Sequence, residues 1–313
     1  MQIALQLLLL VVGFVMLIKG ADWFVDGASK VADKFGIPQL VIGLTIVAMG
    51  TSAPEAAVSI TSAIKGNAGI TIGNVVGSNI MNVLVILGLT AVIRAVAVKK
   101  STIRYEIPFT IVITVVLGLL GLLDNTVGRL DGLILWVLMI VYLIYLLRMA
   151  RKGQDVVEDV PELTEKDTLP RMILSIVIGA VLIVWGADVT VDAATELATI
   201  FGMSDRLIGL TIVAFGTSLP ELVTSVTAAI KGKADIAVGN IVGSNIFNIL
   251  FVVGTTALIT PVEYSGGFLV DTVVAVITMV LLLVCVLPKQ KLGRSGGLVM
   301  LAGYAAYFVY LIQ

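Results

Sequence analysis

Histidine is absent from this 313-residue chain, cysteine occurs once, as Cys285, and charged residues make up only 13% of the sequence. A disulfide within the chain is therefore impossible, and a metal site built from thiolate and imidazole ligands is disfavoured. Any metal ion bound here is expected to be a hard cation with oxygen ligands. The absence of a nucleophile paired with a base also argues against an enzyme, and no catalytic residue is predicted.

Apolar residues, by contrast, make up 58% of the chain and occur in runs close to the length that crosses a bilayer. We predict an all-α integral membrane protein with ten transmembrane helices and little chain outside the membrane. The predicted spans lie at 3–33, 38–64, 70–93, 106–123, 130–147, 172–201, 206–230, 235–259, 268–287 and 296–312.

The distribution of basic residues indicates the orientation in the membrane. No basic region or small-residue cleavage site of a signal peptide begins the chain, so we expect the first helix to be retained, with its N-terminus outside. This orientation gives sixteen Lys and Arg residues to the inner loops and leaves Lys65, Arg129 and Arg206 outside. The sequence therefore predicts a multi-pass protein of the cell (cytoplasmic) membrane with both termini outside.

A thirteen-residue segment occurs twice, 166 positions apart, at Gly43–Glu55 and Gly209–Glu221, with eleven identical positions. A second pair of segments, Gly73–Asn82 and Gly239–Asn248, has the same offset. Each copy contains five predicted spans, and this odd number makes the two copies enter the membrane in opposite senses. The predicted divisions are a first half at 1–148, a cytoplasmic linker at 149–171 and an inverted second half at 172–313.

Each copy of the first segment places a proline and a glutamate inside a predicted span, as Pro54-Glu55 and Pro220-Glu221. A buried ionisable residue in a membrane is costly, so it indicates a functional site. The proline removes a backbone donor, which we expect to free carbonyl groups in the preceding turn, around Ala48–Thr51 and Ala214–Thr217. Hydroxyl groups precede each glutamate by four and three residues, at Thr51 and Ser52 and at Thr217 and Ser218.

The second pair of segments adds a polar stripe to an apolar helix. Its residues recur at intervals of four, as Asn74, Ser78 and Asn82 and as Asn240, Ser244 and Asn248. Together with the glutamates, these side chains predict a cation site near the membrane midplane, between the two halves. For Asn79 and Asn245, a contact between helices and a direct role at the site remain equal alternatives.

The paired Gly-Thr-Ser-x-Pro-Glu and Gly-Ser-Asn-Ile-x-Asn motifs resemble the two alpha-repeats of the cation/calcium exchanger superfamily, in particular compact prokaryotic sodium/calcium exchangers. The resemblance implies a central calcium site formed by Glu55, Glu221, Asn82, Asn248 and carbonyl groups near Thr51 and Thr217. It also implies flanking sodium sites formed by Ala48, Ser52, Ser78, Ala214, Ser218 and Ser244. Family members work by alternating access, with the long first and sixth helices sliding over the others.

The resemblance therefore implies an antiporter that exchanges sodium for calcium. Two glutamates and two neutral asparagines give the site a charge of about −2, which favours electrogenic exchange of 3 Na+ for 1 Ca2+. A calcium/proton antiporter is the alternative function, because many sodium/calcium exchangers carry aspartate in place of Asn248. A cation channel is the third hypothesis. Calcium and sodium ions, with protons as the alternative, and the lipid bilayer are the expected partners, without an organic cofactor, nucleic acid or obligatory protein partner.

Overall fold

The computed structural model describes residues 2–64, 70–153, 167–202, 214–216, 218–264 and 266–312. These residues form long helices joined by short connections, with four two-residue strands in the loops. The helices are α1 (Gln2–Phe35), α2 (Gln39–Thr51), α3 (Ala53–Ile64), α4 (70–93), α5 (Thr102–Asp124), α6 (Arg129–Gly153), α7 (Leu169–Ile200), α8 (Leu219–Ile230), α9 (Ala234–Ile259), α10 (Gly266–Val286) and α11 (Arg294–Ile312).

The predicted class of an all-α membrane protein is confirmed. Among the described residues, seven helices are long and apolar enough to cross a membrane, and α2 with α3 would make an eighth, bent span. The predicted span at 206–230 is described only at 214–216 and 218–230. The predicted span at 296–312 corresponds to α11.

Each proline of the repeated segment lies in the first turn of a helix. Pro54 is the second residue of α3, which leaves α2 at an angle of 47°. Pro220 occupies the same place in α8, directly after Leu219. Proline is well tolerated in the first turn of a helix, where its missing N–H would have no partner within the helix. The glutamate that follows each proline therefore lies in the first turn of its helix.

The centre of the bundle is formed by α4 and α9. In the most apolar 18-residue stretch of each helix, 94% of the residues are buried in α9 and 72% in α4. In α1 and α7 the buried shares are only 17% and 28%. Both central helices contain a π-helical turn, at Asn82–Leu87 in α4 and at Asn248–Val253 in α9. Such turns widen a helix locally and are frequent at functional sites.

Short antiparallel ladders join the loops of the N-terminal and C-terminal parts of the chain. β1 (Val96–Ala97) pairs with β4 (Lys291–Leu292), and β2 (Thr126–Val127) pairs with β3 (Val262–Glu263). Each ladder therefore connects a loop from before the linker to a loop from after it.

The long helices α1 and α7 pack closely against each other through glycines. A Cβ atom on Gly20 would lie 2.9 Å from the carbonyl oxygen of Gly179, and one on Gly179 would lie 2.7 Å from that of Gly20. Gly13 and Gly186 form a second contact of the same kind, seven residues away along each helix. Small residues permit such close approach of helix backbones in membranes.

We expect Gly20→Ala to destabilise the protein by about 1–3 kcal/mol, because the new methyl group would meet backbone atoms that cannot rotate away. Gly303→Ala is the matched control, since a Cβ there would make an ordinary contact, 3.7 Å from the Leu84 side chain. Alanine is the better helix former by up to about 1 kcal/mol, so the control should unfold at an equal or higher temperature. Thermal unfolding of the two purified variants in detergent checks this; equal midpoints would contradict the packing.

Candidate functional site

The two predicted glutamates lie at the centre of the bundle. Glu55 in α3 and Glu221 in α8 are both 0% exposed. Each lies in the first turn of its helix, where the unpaired N–H groups and the helix dipole favour negative charge. The two carboxylates are close enough to interact electrostatically with each other.

Contacts from α2 reach the second glutamate directly. The Ser52 hydroxyl donates a hydrogen bond to Oε1 of Glu221 at 2.8 Å, and Thr51 donates to Oδ1 of Asn240 at 3.0 Å. The hydroxyls of Thr51 and Ser244 also lie near the Glu221 carboxylate. The structure therefore brings residues that are distant in sequence to one buried site.

Two asparagines fix the helices that carry the glutamates. The Asn74 amide donates to the Ser59 hydroxyl at 2.9 Å and to the Glu55 carbonyl at 3.4 Å. The Asn240 amide makes the same two bonds, at 2.9 Å to Ser225 and 3.4 Å to the Glu221 carbonyl. Neither serine was predicted as a site residue, although Ser59 and Ser225 also lie 166 positions apart, at the offset of the repeat.

Four buried asparagines join α4 to α9. The Asn79 amide donates to the backbone carbonyl of Asn245 at 3.1 Å, and the Asn245 amide donates to that of Asn79 at 3.2 Å. The Asn82 amide donates to Oδ1 of Asn245, and the Asn248 amide to Oδ1 of Asn79. Asn79 and Asn245 therefore make helix contacts, and they orient the amides of Asn82 and Asn248.

Several oxygen atoms at this site are buried without a hydrogen-bond partner among the described residues. They are both carboxylate oxygens of Glu55, Oε2 of Glu221, Oδ1 of Asn82, Oδ1 of Asn248 and the hydroxyl of Ser218. An acceptor buried without a donor costs free energy, and a bound cation would satisfy several of them together. This set of hard oxygen atoms fits calcium or sodium.

The site needs neutral ligands as well as carboxylates. The part of the chain that the structure describes contains no cluster of three or more His, Cys, Asp or Glu residues. A cation bound between the two glutamates would therefore complete its shell with amide, hydroxyl or carbonyl oxygens.

The structure describes all but one of the remaining predicted site residues. Ser78 and Ser244 are buried in α4 and α9, and the Ser244 hydroxyl lies 3.5 Å from the Ala48 carbonyl oxygen. That carbonyl also accepts the N–H of Ser52 at 3.0 Å, so it is not left free as the proline was expected to leave it. Ala214 begins a short helical turn that ends at Gly216, and Thr217 lies outside the described residues.

One hydrogen bond distinguishes the two copies of the site. Ser52 donates to Glu221, but its counterpart Ser218 has no hydrogen-bond partner among the described residues, and neither carboxylate oxygen of Glu55 has one. The end of α2 therefore closes over one glutamate, while the equivalent contact on the other glutamate is not made.

Comparison with known proteins identifies the family. The family described as sodium/calcium exchanger protein matches residues 5–148 and 172–313, which is most of the chain. This chain belongs to the sodium/calcium exchanger family. Members of this family are membrane ion exchangers rather than enzymes, and sodium and calcium are the ions they handle.

Relatives of this exchanger-family chain match over nearly its full length. It is 33% identical over 348 residues to the sodium/calcium exchanger MaX1 of Methanosarcina acetivorans, which covers 99% of both chains. It is 40% identical over 307 residues to a protein of Alkalimonas amylolytica named as an antiporter, CaxA, with 95% of each chain covered. A solved structure of the sodium–calcium exchanger NCX_Mj, soaked with 10 mM Na+ and no Ca2+, has 31% identity and a TM-score of 0.84 over 98% of this chain and 99% of that chain. The resemblance to compact prokaryotic exchangers is thus confirmed.

The unequal hydrogen bonds predict unequal effects of two matched substitutions. In buffer without sodium or calcium, Ser52→Ala should lower stability by about 1–3 kcal/mol, because it removes a hydrogen bond to a buried carboxylate. Ser218→Ala should be nearly neutral, because its hydroxyl has no partner to lose among the described residues. Thermal unfolding of both variants checks this, and an equal loss of stability in the two variants would contradict the asymmetry.

Proposed function

We propose that this protein is a sodium/calcium antiporter that exchanges 3 Na+ for 1 Ca2+ by alternating access at the central site. The observation that carries the proposal is the set of unpartnered, buried oxygen atoms around Glu55 and Glu221. A site that was only structural would be expected to pair these oxygens with donors. The family of the chain supports the same ions.

The proposed ligands divide by the charge of the ion. Calcium takes the two carboxylates, with neutral oxygens from Asn82, Asn248 and carbonyl groups near Thr51 and Thr217. Sodium ions take the flanking positions, at Ala48, Ser52, Ser78, Ala214, Ser218 and Ser244. With a site charge of about −2, one calcium ion gives neutrality and three sodium ions leave about +1, which makes the exchange electrogenic.

We propose ten transmembrane helices in two inverted five-helix halves, 1–148 and 172–313, joined by a linker at 149–171. The reciprocal bonds of Asn79 and Asn245, which are 166 positions apart, support a two-fold relation between the halves. The two strand ladders support this relation as well, because each ladder pairs a loop of the first half with a loop of the second half. The excess of basic residues in the inner loops supports a cell-membrane protein with both termini outside.

The packing also supports a movable pair of helices. The larger hydrophobic cluster, around α4 and α9, contains no described residue of α1 or α7. These two helices belong to a second cluster, which also includes residues of α2, α8 and the start of α9. Their glycine contacts let them move together as a rigid pair past the remaining helices. The unequal contacts of Ser52 and Ser218 with the glutamates fit a state in which one side of the site is closed.

A calcium/proton antiporter is the second candidate, and one observation favours it. Asn82 and Asn248 are both neutral, so the two glutamates could be neutralised by two protons as well as by one calcium ion. The hydroxyl groups of Ser52, Ser218 and Ser244 favour sodium over protons, because a proton needs no set of oxygen ligands.

We expect calcium uptake into proteoliposomes to require sodium inside and to stop when choline replaces it. Because net positive charge leaves the vesicle in 3:1 exchange, an inside-positive potential set with potassium and valinomycin should accelerate uptake. Radioactive calcium measures the rate. Uptake driven equally well by a proton gradient without sodium, and unaffected by the potential, would contradict sodium exchange and support the second candidate.

Glu55→Gln and Glu221→Gln should each lower calcium uptake at least about 100-fold, because the amide keeps the volume but loses the charge that holds the ion. The purified variants should also lose the rise in unfolding temperature that saturating calcium gives the unmodified protein. Glu263→Gln is the matched control, since this exposed glutamate in β3 is remote from the site. Normal uptake and normal calcium stabilisation in either site variant would refute the proposed site.

A further inference from the structure

A second buried carboxylate lies away from the central site, at the start of α5. Glu106 is 1% exposed and ends a π-helical turn at Thr102–Glu106. One of its oxygens accepts a hydrogen bond from the Tyr145 hydroxyl in α6. Its other oxygen, Oε2, and the buried Tyr142 hydroxyl have no partner among the described residues. The exchange proposed above makes no use of this carboxylate.

Glu106 lies in the wall of an aromatic cavity of about 300 Å³ between α5 and α6. The other walls include the rings of Tyr105, Phe109, Tyr142 and Tyr145 and the side chain of Arg104, whose guanidinium lies 5.8 Å from the centroid of the Tyr105 ring. The Phe109 and Tyr142 rings stack with centroids 5.6 Å apart, and those of Tyr105 and Tyr145 are 6.3 Å apart and tilted. Aromatic faces beside a carboxylate attract an organic cation.

The unpartnered oxygen atoms indicate what kind of cation fits. Oε2 of Glu106 needs a hydrogen-bond donor, and the Tyr142 hydroxyl also needs a partner. A primary ammonium group can donate three hydrogen bonds, whereas a trimethylammonium group can donate none. The cavity therefore fits a primary ammonium better than a quaternary one.

A second cavity, of about 520 Å³, adjoins the first and shares Tyr105 and Tyr145 with it. Arg148 and Arg151 line this second cavity. Arginine guanidinium groups bind phosphate through paired hydrogen bonds. The ligand that would fill both cavities thus carries an ammonium group and, a short distance from it, a phosphate.

The surroundings of the two cavities indicate a lipid. Tyr105 is 52% exposed and Val141 is 54% exposed, so the first cavity opens onto the outer surface of the bundle. Exposed apolar side chains continue from there along both helices, away from Arg148 and Arg151, including Val112, Val115 and Val137. Basic residues next to the cavities mark the membrane–water interface, where a headgroup lies with its acyl chains along such a surface.

We propose that this groove binds a phospholipid whose headgroup carries a primary ammonium and a phosphate. Glu106 accepts the ammonium beside the rings of Tyr142 and Tyr145, and Arg148 and Arg151 bind the phosphate. The acyl chains lie against the exposed apolar faces of α5 and α6.

Native mass spectrometry of the purified full-length protein tests this, with phosphatidylethanolamine, its N-methylated forms, phosphatidylcholine and phosphatidylglycerol as probes. The unmodified protein should retain phosphatidylethanolamine about tenfold better than phosphatidylcholine, as one charge-assisted hydrogen bond would give. Glu106→Gln should abolish this preference, while the control Glu263→Gln keeps it. Exchanging both Arg148 and Arg151 for glutamine should weaken the binding of every phospholipid in the set.

The proposal would be overturned by equal retention of phosphatidylethanolamine and phosphatidylcholine by the unmodified protein, or by an unchanged preference in Glu106→Gln. Binding of soluble phosphoethanolamine as tight as that of the lipid would contradict a lipid ligand. If Glu106→Gln does not fold, Tyr142→Phe replaces it, because this variant keeps the ring and removes one hydroxyl. Its preference for phosphatidylethanolamine over phosphatidylcholine should be smaller than that of the unmodified protein. An unchanged preference would contradict the site. The N-methylated series in the unmodified protein needs no variant.

Discussion

The burial of two carboxylates in the interior of a membrane protein is the constraint on which the rest of the structure depends. Glu55 and Glu221 are fully buried, and the hydrogen bond from Ser52 is the one found for either carboxylate group among the described residues. Leaving charges in this state costs several kcal/mol unless an ion compensates for them. The protein reduces that cost locally by placing each carboxylate in the first turn of a helix, where the helix dipole favours negative charge.

Starting a helix inside a membrane creates a second problem, because the ends of interrupted helices have backbone groups without partners. The asparagines of α4 and α9 solve part of it. Asn74 and Asn240 each bind the carbonyl of a glutamate and a serine one turn further along, which fixes the helix that carries the charge. Asn79 and Asn245 bind the carbonyls of each other's residue and hold the two central helices together.

Composition and apolar runs were sufficient to predict the membrane class and most helix bounds, and the repeated Pro-Glu motif was sufficient to predict that both glutamates are buried. These follow from local pattern and from composition, which are properties of one segment at a time. The different hydrogen-bond partners of the asparagines could not be predicted, because the spacing of these residues in the sequence does not show which helix packs against them. The close contact of Gly20 with Gly179 was missed for the same reason, since it joins two helices on either side of the linker.

The unequal hydrogen bonds of the two glutamates show why a symmetric sequence does not require a symmetric site. Two copies of one motif that meet around a single ion can exchange their roles, with one copy closed while the other is open. In the alternating access proposed above, the two states would differ little in free energy, because each would make the contacts that the other lacks. An ion that binds one state better than the other by about 1.4 kcal/mol would shift their ratio tenfold. Under that proposal, the duplicated site would supply two states of similar stability, which is the physical requirement for a transporter that releases its ions on either side of a membrane.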